Sequence, residues 1–386
     1  MIRNMRILYD HQAFAMQSHG GVSRCFAELY KNLPKEISAC ISLKESENVY
    51  IKEMDLAGTH YIRDGFNNFI CRRPFPGKWH LYELYQKIRG RSEYIDINLI
   101  HSIDELQKGE YDIFHPTYYN DYFLPYLKGK PFVLTIHDMV PELYPQFFGP
   151  DDIQIVMKRK LAPLANAIIA VSENTKKDII RLLNIPEKKV YVVYHGGSFS
   201  TIQSSRSPYS FPYLLYIGDR SGYKNFIPFV KQVTPVLKRH KGLHVICTGK
   251  PFKKEEKRVF KELGVNNLFI NTWVKMDAEL YALYHHAECF IYPSDYEGFG
   301  IPILEAYQAD CPVLLNRASC FPEIAKDAAI YFNIHSNDNN LSESLENFLS
   351  MNKYEKETLL TKQRARLTDF SWKKSAEKLA YIYNSI

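Results

Sequence analysis

Pro293-Ser294-Asp295-Tyr296-Glu297-Gly298-Phe299-Gly300-Ile301-Pro302-Ile303-Leu304-Glu305-Ala306 sets two glutamates eight positions apart, on either side of a Gly-x-Gly turn. Pro302 is suited to open a helix, because the first helical position has no N–H bond to lose. Glu297 then falls in the loop before that helix, and Glu305 lies on it about one turn further in. The first backbone N–H groups of such a helix have no intrahelical acceptor and can bind an anion. The stretch predicts an anion pocket flanked by two carboxylates, each able to accept hydrogen bonds from paired hydroxyls. A nucleotide-sugar offers that combination: hydroxyls on the sugar, a diphosphate, hydroxyls on the ribose.

Outward from this stretch, short β-branched or aromatic runs alternate with amphipathic ones. In the first half the strand candidates are Met5–Tyr9, Ala39–Leu43, Tyr111–His115, Phe132–Ile136, Ala167–Val171 and Val190–Tyr194. In the second half they are Tyr213–Ile217, Leu243–Thr248, Leu268–Asn271, Cys289–Tyr292, Val313–Asn316 and Ala329–Phe332. Helical patterns fall between them, including Val22–Asn32, Asn174–Leu183, Lys224–Arg239, Lys254–Leu263 and Ala278–His286. Such alternation implies an α/β chain with parallel sheets and crossover helices. The polar stretch Ser198–Pro212 is the best linker and places a boundary between domains 1–203 and 204–369. After Phe332 only helical stretches follow, the last being Lys373–Asn384 with Ser371 as its N-cap. Two doubly wound, Rossmann-like domains facing each other would form a central cleft at the C-terminal edges of their sheets, where such folds bind ligands.

A length of 386 residues exceeds one ordinary core, which supports two domains. Hydrophobic residues at 46% and charged residues at 24% are ordinary for a globular protein. The 28 tyrosines suit sugar-facing surfaces and core packing alike. A formal charge of +6 is compatible with phosphorylated ligands and does not argue for nucleic acid. Seven cysteines without a C-x-x-C pair read as reduced, buried thiols of a cytoplasmic protein. The N-terminus lacks the apolar core of a signal peptide, and no run approaches the ~20 apolar residues of a membrane span. The expectation is a soluble protein, at most peripheral to the inner face of a membrane.

The first strand of the second domain leads into Gly218-Asp219-Arg220-Ser221-Gly222-Tyr223-Lys224-Asn225. Arg220 and Lys224 there read either as a solvated charged turn or as a pair that grips a phosphate, Arg bidentately and Lys as a movable charge. Together with the glutamate element, the phosphate reading is preferred. In the first domain, Gly20-Gly21 precedes a helix without a G-x-G-x-x-G fingerprint, so a dinucleotide site is not supported. The pair is either a flexible loop or a place where backbone approaches an anion. His137, directly after a buried-looking strand, is either structural or a partner for a sugar hydroxyl. His115 carries the same two readings, and His195 closes the last strand of that domain. Lys158-Arg159-Lys160 reads as a solvated helix face in preference to a membrane-contact patch. No metal-ligand spacing, D-x-D after a strand, nucleophile elbow or P-loop is present.

Taken together, these residues resemble the family-4 glycosyltransferases, retaining enzymes of the GT-B fold. The resemblance covers nearly the whole chain. Its main marker is the E-x7-E element Glu297 to Glu305, supported by Gly20-Gly21, Thr135-Ile136-His137-Asp138, Ala170-Val171-Ser172-Glu173 and Gly218 through Asn225. The closing Phe370-Ser371-Trp372 helix resembles the family's tail, which implies that residues 370–386 cross back to pack on the first domain. The resemblance also implies roles. Glu297 would contact donor-sugar hydroxyls, and Glu305 the ribose. Arg220 and Lys224 would neutralise the departing diphosphate, and His137 would touch the donor sugar near the reacting centre. The amides of Gly298, Phe299 and Gly300 would bind sugar and phosphates, and Gly20 and Gly21 would approach the diphosphate from the first domain. No metal or other cofactor is expected, because fixed cations and a helix dipole can stabilise the leaving group. Two departures stand out: Asp310-Cys311 replaces a glycine after the second glutamate's helix, and Asp219 intervenes between the strand's glycine and Arg220.

The implied activity is retaining transfer of a hexose from a nucleotide diphosphate-sugar, of GDP-mannose or UDP-hexose type, to a hydroxyl of a glycan or lipid-linked acceptor in surface polysaccharide synthesis. The donor would bind mainly to the second domain, the acceptor mainly to the first. Fold alone does not fix chemistry. A nucleotide-sugar epimerase or hydrolase, or a non-catalytic nucleotide-sugar or glycan binder, would share the same plan.

Overall fold

The computed structural model describes residues 5–56, 70, 75–88, 96–199, 206–274, 276–338 and 340–386. The boundary expected at 203/204 and Cys71 lie outside them. All the expected strands are present, their ends shifted by no more than two residues. In chain order they are β1 Met5–Tyr9, β2 Ile37–Ile41, β3 Ile113–His115, β4 Val133–Ile136, β5 Ala167–Ala170 and β6 Val190–Val192, then β7 Tyr213–Tyr216, β8 His244–Thr248, β9 Phe269–Thr272, β10 Cys289–Tyr292, β11 Val313–Asn316 and β12 Ile330–Phe332. The chain divides into two compact units. The first comprises Met1–Thr135, Met157–Ile168 and Ala376–Ile386; the second comprises Ile136–Val156 and Ile169–Ser375.

In the first unit, β2, β1 and β3 pair in parallel in that order. A parallel bridge from Phe114 to Phe132 leads on to β4; β4, β5 and β6 form a further sheet in sequence order, of which β6 belongs to the second unit. The last residues of the chain belong here. Tyr383, buried on the closing helix, shares hydrogen bonds with Tyr9 Oη at 2.8 Å and with His115 Nδ1 at 2.5 Å. His115 Nε2 meets Thr135 Oγ1 at 2.8 Å, so this histidine is committed to packing within the sheet. Burial pushes the Tyr9 and Tyr383 hydroxyls up, and both remain protonated donors. The tail thus returns to the N-terminal unit, although its first turn is fixed in the second unit. There Trp372 Nε1 donates to Gly197 O at 2.9 Å, and Ser371 Oγ caps the Lys374 N–H at 3.2 Å.

The second unit holds a six-stranded parallel sheet in the order β12-β11-β10-β7-β8-β9. The chain enters at the centre with β7, winds out through β8 and β9, then returns beside β7 with β10 and winds the other way. Both faces are buried, so alternate residues serve opposite layers. Tyr213 and Leu215 of β7 pack in one apolar cluster, with Phe290, Tyr292, Val313 and Leu315. Leu214 and Tyr216 pack in the other, with Cys289, Ile291 and Leu314. The order reverses between β7 and β10, and a doubly wound sheet binds its ligand outside the C-terminal ends of the strands at that reversal.

Three local readings are adjusted. The helix expected over Lys224–Arg239 begins at Phe226, preceded by a separate 3-10 turn at Gly222–Lys224. Asn225, at φ 53°, breaks the two apart in the left-handed region. Cys40 is exposed, while Cys25, Cys247, Cys289, Cys311 and Cys320 are free and buried as expected. Lys158 is buried under the Tyr119 ring and Lys160 is ion-paired with Asp121, so the basic run is not a fully solvated face. Among the described residues, no helix is long and apolar enough to cross a membrane.

Candidate active site

The loops that follow β7 and β10 meet at the strand-order reversal. Asp295 N–H donates to Tyr223 O at 2.8 Å, and Asn225 Nδ2 donates to Pro293 O at 3.0 Å. These two bonds fix the cationic loop beside the glutamate loop. Lys224 Nζ then reaches Glu297 Oε1 at 2.5 Å, with only 16% and 13% of the two side chains exposed. Burial opposes the ammonium charge, but the Glu297 carboxylate outweighs it and the Lys224 pKa is raised. Burial, and then the Glu297 charge, push the Tyr292 pKa well up, so its hydroxyl stays protonated.

The helix Ile301–Gln308 follows, with Gly300 as N-cap at φ 86° and Pro302 as its second residue. A proline costs nothing there either, since the second N–H of a helix also has no intrahelical partner. Glu305 is buried on this helix and accepts a hydrogen bond from Tyr284 Oη at 3.1 Å. Phe299 is 3% exposed and anchors the loop in the core beside His195, Tyr194 and Phe370, with the His195 ring centroid 4.9 Å away. Burial of a phenyl ring of this kind stabilises by about 2 kcal/mol or more.

The loop is held by its carbonyls. Glu297 O accepts from Ser319 Oγ at 2.8 Å and Cys320 Sγ at 3.2 Å. Gly298 O accepts from Ser172 Oγ at 2.6 Å and Thr175 Oγ1 at 3.1 Å. Phe299 O accepts from Cys320 Sγ at 3.2 Å. Among the described residues, the N–H groups of Gly298, Phe299 and Gly300 meet no protein acceptor. A short row of backbone donors at a helix start makes an anion-binding concavity.

Gly298 also admits another backbone. A Cβ there would overlap the His137 carbonyl oxygen, lie 2.9 Å from the carbonyl carbon and 3.3 Å from Asp138 Cβ. His137 is thereby placed against the glutamate loop, with the His195 ring centroid 6.3 Å from its own. Burial, and then His137, push the His195 pKa down to about 3, so this imidazole is neutral at ordinary pH.

Arg220 takes another course. Its Nε donates to Glu256 Oε1 at 2.9 Å, and its NH2 nitrogen donates to Lys250 O at 2.6 Å and Pro251 O at 3.0 Å. Both side chains are 5% exposed, and the guanidinium lies 5.0 Å from the Phe252 ring centroid. Lys224 is therefore the cation that meets Glu297, while Arg220 ties the β7 loop to the β8 loop. Gly20 and Gly21 lie in the first unit, where Gly20 is the N-cap of the helix Gly21–Asn32 and Gly21 its first residue. Sequence reasoning missed Ser172 as a loop contact, Thr175, Glu256 and Ser319. Ser172 was legible as a cap before a helical pattern, but its second partner is 126 residues away.

The Glycosyltransferase Family 4 model matches residues 19–197, and the Glycosyl transferases group 1 model matches residues 199–366. The chain belongs to the family-4, group 1 glycosyltransferases. It is similar to the O-antigen chain mannosyltransferase RfbU of Salmonella typhimurium, 27% identical over 214 residues, covering 54% of this chain and 58% of that protein. It is also similar to O-antigen chain mannosyltransferase B of Escherichia coli, 27% identical over 229 residues, covering 54% of this chain and 59% of the relative. The chain thus spans less than two thirds of the length of these relatives. Among solved structures, Anabaena Alr3699/HepE crystallised with UDP and glucose superposes with a TM-score of 0.71 at 15% identity, over 99% of this chain and 100% of that one. The fold is the two-domain GT-B type of these family-4 glycosyltransferases.

Proposed function

We propose that this family-4 glycosyltransferase moves a hexose from a nucleotide diphosphate-sugar to a hydroxyl of a glycan or lipid-linked acceptor, with retention of configuration, in surface polysaccharide synthesis. The carrying observation is the Lys224–Glu297 pair at the β7/β10 reversal, beside unpartnered backbone N–H groups and ahead of buried Glu305. Lys224 has three donors, so it can keep Glu297 and still meet a diphosphate oxygen. Glu297 orients the sugar through its hydroxyls and governs which sugar is transferred. Glu305 receives the ribose hydroxyls and governs whether the nucleotide binds. His137 contacts the sugar near C1.

In the proposed reaction the C1–O bond to the diphosphate breaks, and the acceptor oxygen bonds C1 on the same face. A donor phosphate oxygen takes the acceptor's proton. Charge grows on the departing diphosphate, where Lys224 and the row of N–H groups act most strongly. This arrangement works without a metal, so EDTA should leave the rate unchanged. Peripheral association with a membrane would bring the enzyme to a lipid-linked acceptor.

The mannosyltransferase names of the relatives favour mannose, and GDP-mannose is the first donor to try. The UDP complexes among the structural neighbours keep UDP-hexoses in the panel. A thermal-shift screen against UDP-, GDP- and dTDP-sugars, followed by transfer to lipid-linked glycan and NMR of the product anomer, tests the reading. Binding to no donor, an inverted product, or an epimer or free sugar formed rapidly without acceptor would overturn it.

A further inference from the structure

We propose that Ser172 and Thr175 are positioning residues for sugar transfer: by holding the Gly298 carbonyl, they aim the Phe299 N–H at the donor's diphosphate. The inference rests on the function proposed above. Ser172 lies just beyond β5 and Thr175 in the first turn of the helix Glu173–Leu183, both buried. Ser172 Oγ accepts the Thr175 N–H at 3.0 Å, which leaves its own proton for Gly298 O at 2.6 Å. Thr175 Oγ1 reaches the same carbonyl at 3.1 Å.

The helix that carries these hydroxyls is itself fixed to the glutamate loop and its neighbours. The Glu323 carboxylate accepts the N–H groups of Glu173 at 2.7 Å and Asn174 at 3.0 Å. Tyr296 Oη donates to Asp178 Oδ2 at 2.9 Å. With Glu323 seated there, the N-terminus of this helix already holds an anion of the protein's own. Its role toward the loop is mechanical: it presents two hydroxyls at a set height to one carbonyl.

A trans peptide is planar, with its C=O and N–H pointing in opposite directions. No cis peptide occurs among the described residues. Anchoring Gly298 O on Ser172 and Thr175 therefore drives the Phe299 N–H to the far side of the loop. Ser319 and Cys320 treat the flanking carbonyls of Glu297 and Phe299 in the same way. Two hydroxyls donating to one carbonyl also polarise the peptide and make its N–H a stronger donor, by roughly 10–30% per bond. An N–H aimed at charge that grows during the reaction lowers the barrier more than it tightens binding. Loss of the aim should therefore appear in kcat ahead of KM.

The experiment compares Thr175→Val, Thr175→Ser and Ser172→Gly with the wild type for donor kcat and KM, thermal midpoint and nucleotide-induced thermal shift. Valine keeps threonine's shape without its hydroxyl, and serine restores the hydroxyl. Glycine keeps most of the N-cap function, so Ser172→Gly isolates the lost donor. Thr175→Val should lower kcat about tenfold, and the double variant Ser172→Gly/Thr175→Val about 100-fold, with KM for the donor changed less than about threefold. Thr175→Ser should retain at least about half of kcat, and all variants should keep the nucleotide-induced shift. Thr175→Val and Ser172→Gly that lower only the thermal midpoint, or raise only KM, would overturn the inference. A wild-type protein that transfers from no donor would instead overturn the proposed function. Should Ser172→Gly fail to fold, the Thr175→Val and Thr175→Ser pair still decides.

Discussion

Gly298→Ala puts a methyl group where the His137 carbonyl stands. The new Cβ would overlap that oxygen and lie 2.9 Å from the carbonyl carbon. Both partners are backbone, so no side-chain rotation relieves the clash. The loop must move by roughly 1 Å or more, and a misplacement of that size costs on the order of 100-fold in rate. The same movement pulls Gly298 O away from Ser172 and Thr175, whose bonds contribute about 1 kcal/mol each. Overpacking adds about 1–3 kcal/mol. A total of about 3–5 kcal/mol corresponds to a fall in Tm of roughly 4–6 °C for a chain of this size. Steady-state transfer and thermal unfolding, each with and without donor, measure both effects. Wild-type kcat and Tm in Gly298→Ala would refute the packing of His137 on this loop and the positioning argument built on it.

Lys224→Met should cost about 3–5 kcal/mol, because Glu297 keeps its charge in a largely buried place; adding Glu297→Gln should restore stability but not transfer, read by chemical denaturation and kinetics. His195 has a folded pKa near 3 against about 6.5 unfolded, so the unfolded state takes up the proton first and stability falls as pH drops from about 6.5 toward 3. The loss between pH 7 and pH 5 should be about 2 kcal/mol and should largely vanish in His195→Phe. If Arg220 acts through Glu256 and the loop carbonyls, Arg220→Lys and Glu256→Gln should weaken donor use alike and their double variant no further. An undiminished rate in Glu256→Gln beside a large loss in Arg220→Lys would place Arg220 on the diphosphate instead. Tyr383→Phe removes the buried hydroxyl that bonds Tyr9 Oη and His115 Nδ1 and should cost about 1–3 kcal/mol while kcat per folded molecule stays unchanged.

Much of the fold was legible because its signals are local. Each strand is a short run buried on both faces, and each crossover helix shows its own apolar period, so the alternation survived with small end shifts. The helix start at Asn225 was misjudged because a left-handed break in an asparagine leaves no trace in hydrophobic period. The Glu297-to-Glu305 spacing was readable because both ends lie on one loop and one helix. The partner of Arg220 was not readable, since nothing near Arg220 in the chain points 36 residues ahead to Glu256.

The sequence by itself determined the alternation of strands and helices, the two glutamates, the helix start between them and the cation that follows β7. These depend on neighbours within a turn or two. Only the tertiary structure decided which cation meets Glu297: Arg220 is held by Glu256 and the carbonyls after β8, while the Asp295–Tyr223 bond sets Lys224 beside the glutamate loop. It also decided which way the Gly298–Phe299 peptide faces. That orientation comes from hydroxyls on a helix more than 120 residues upstream, and from a glycine bare enough to let the His137 carbonyl in.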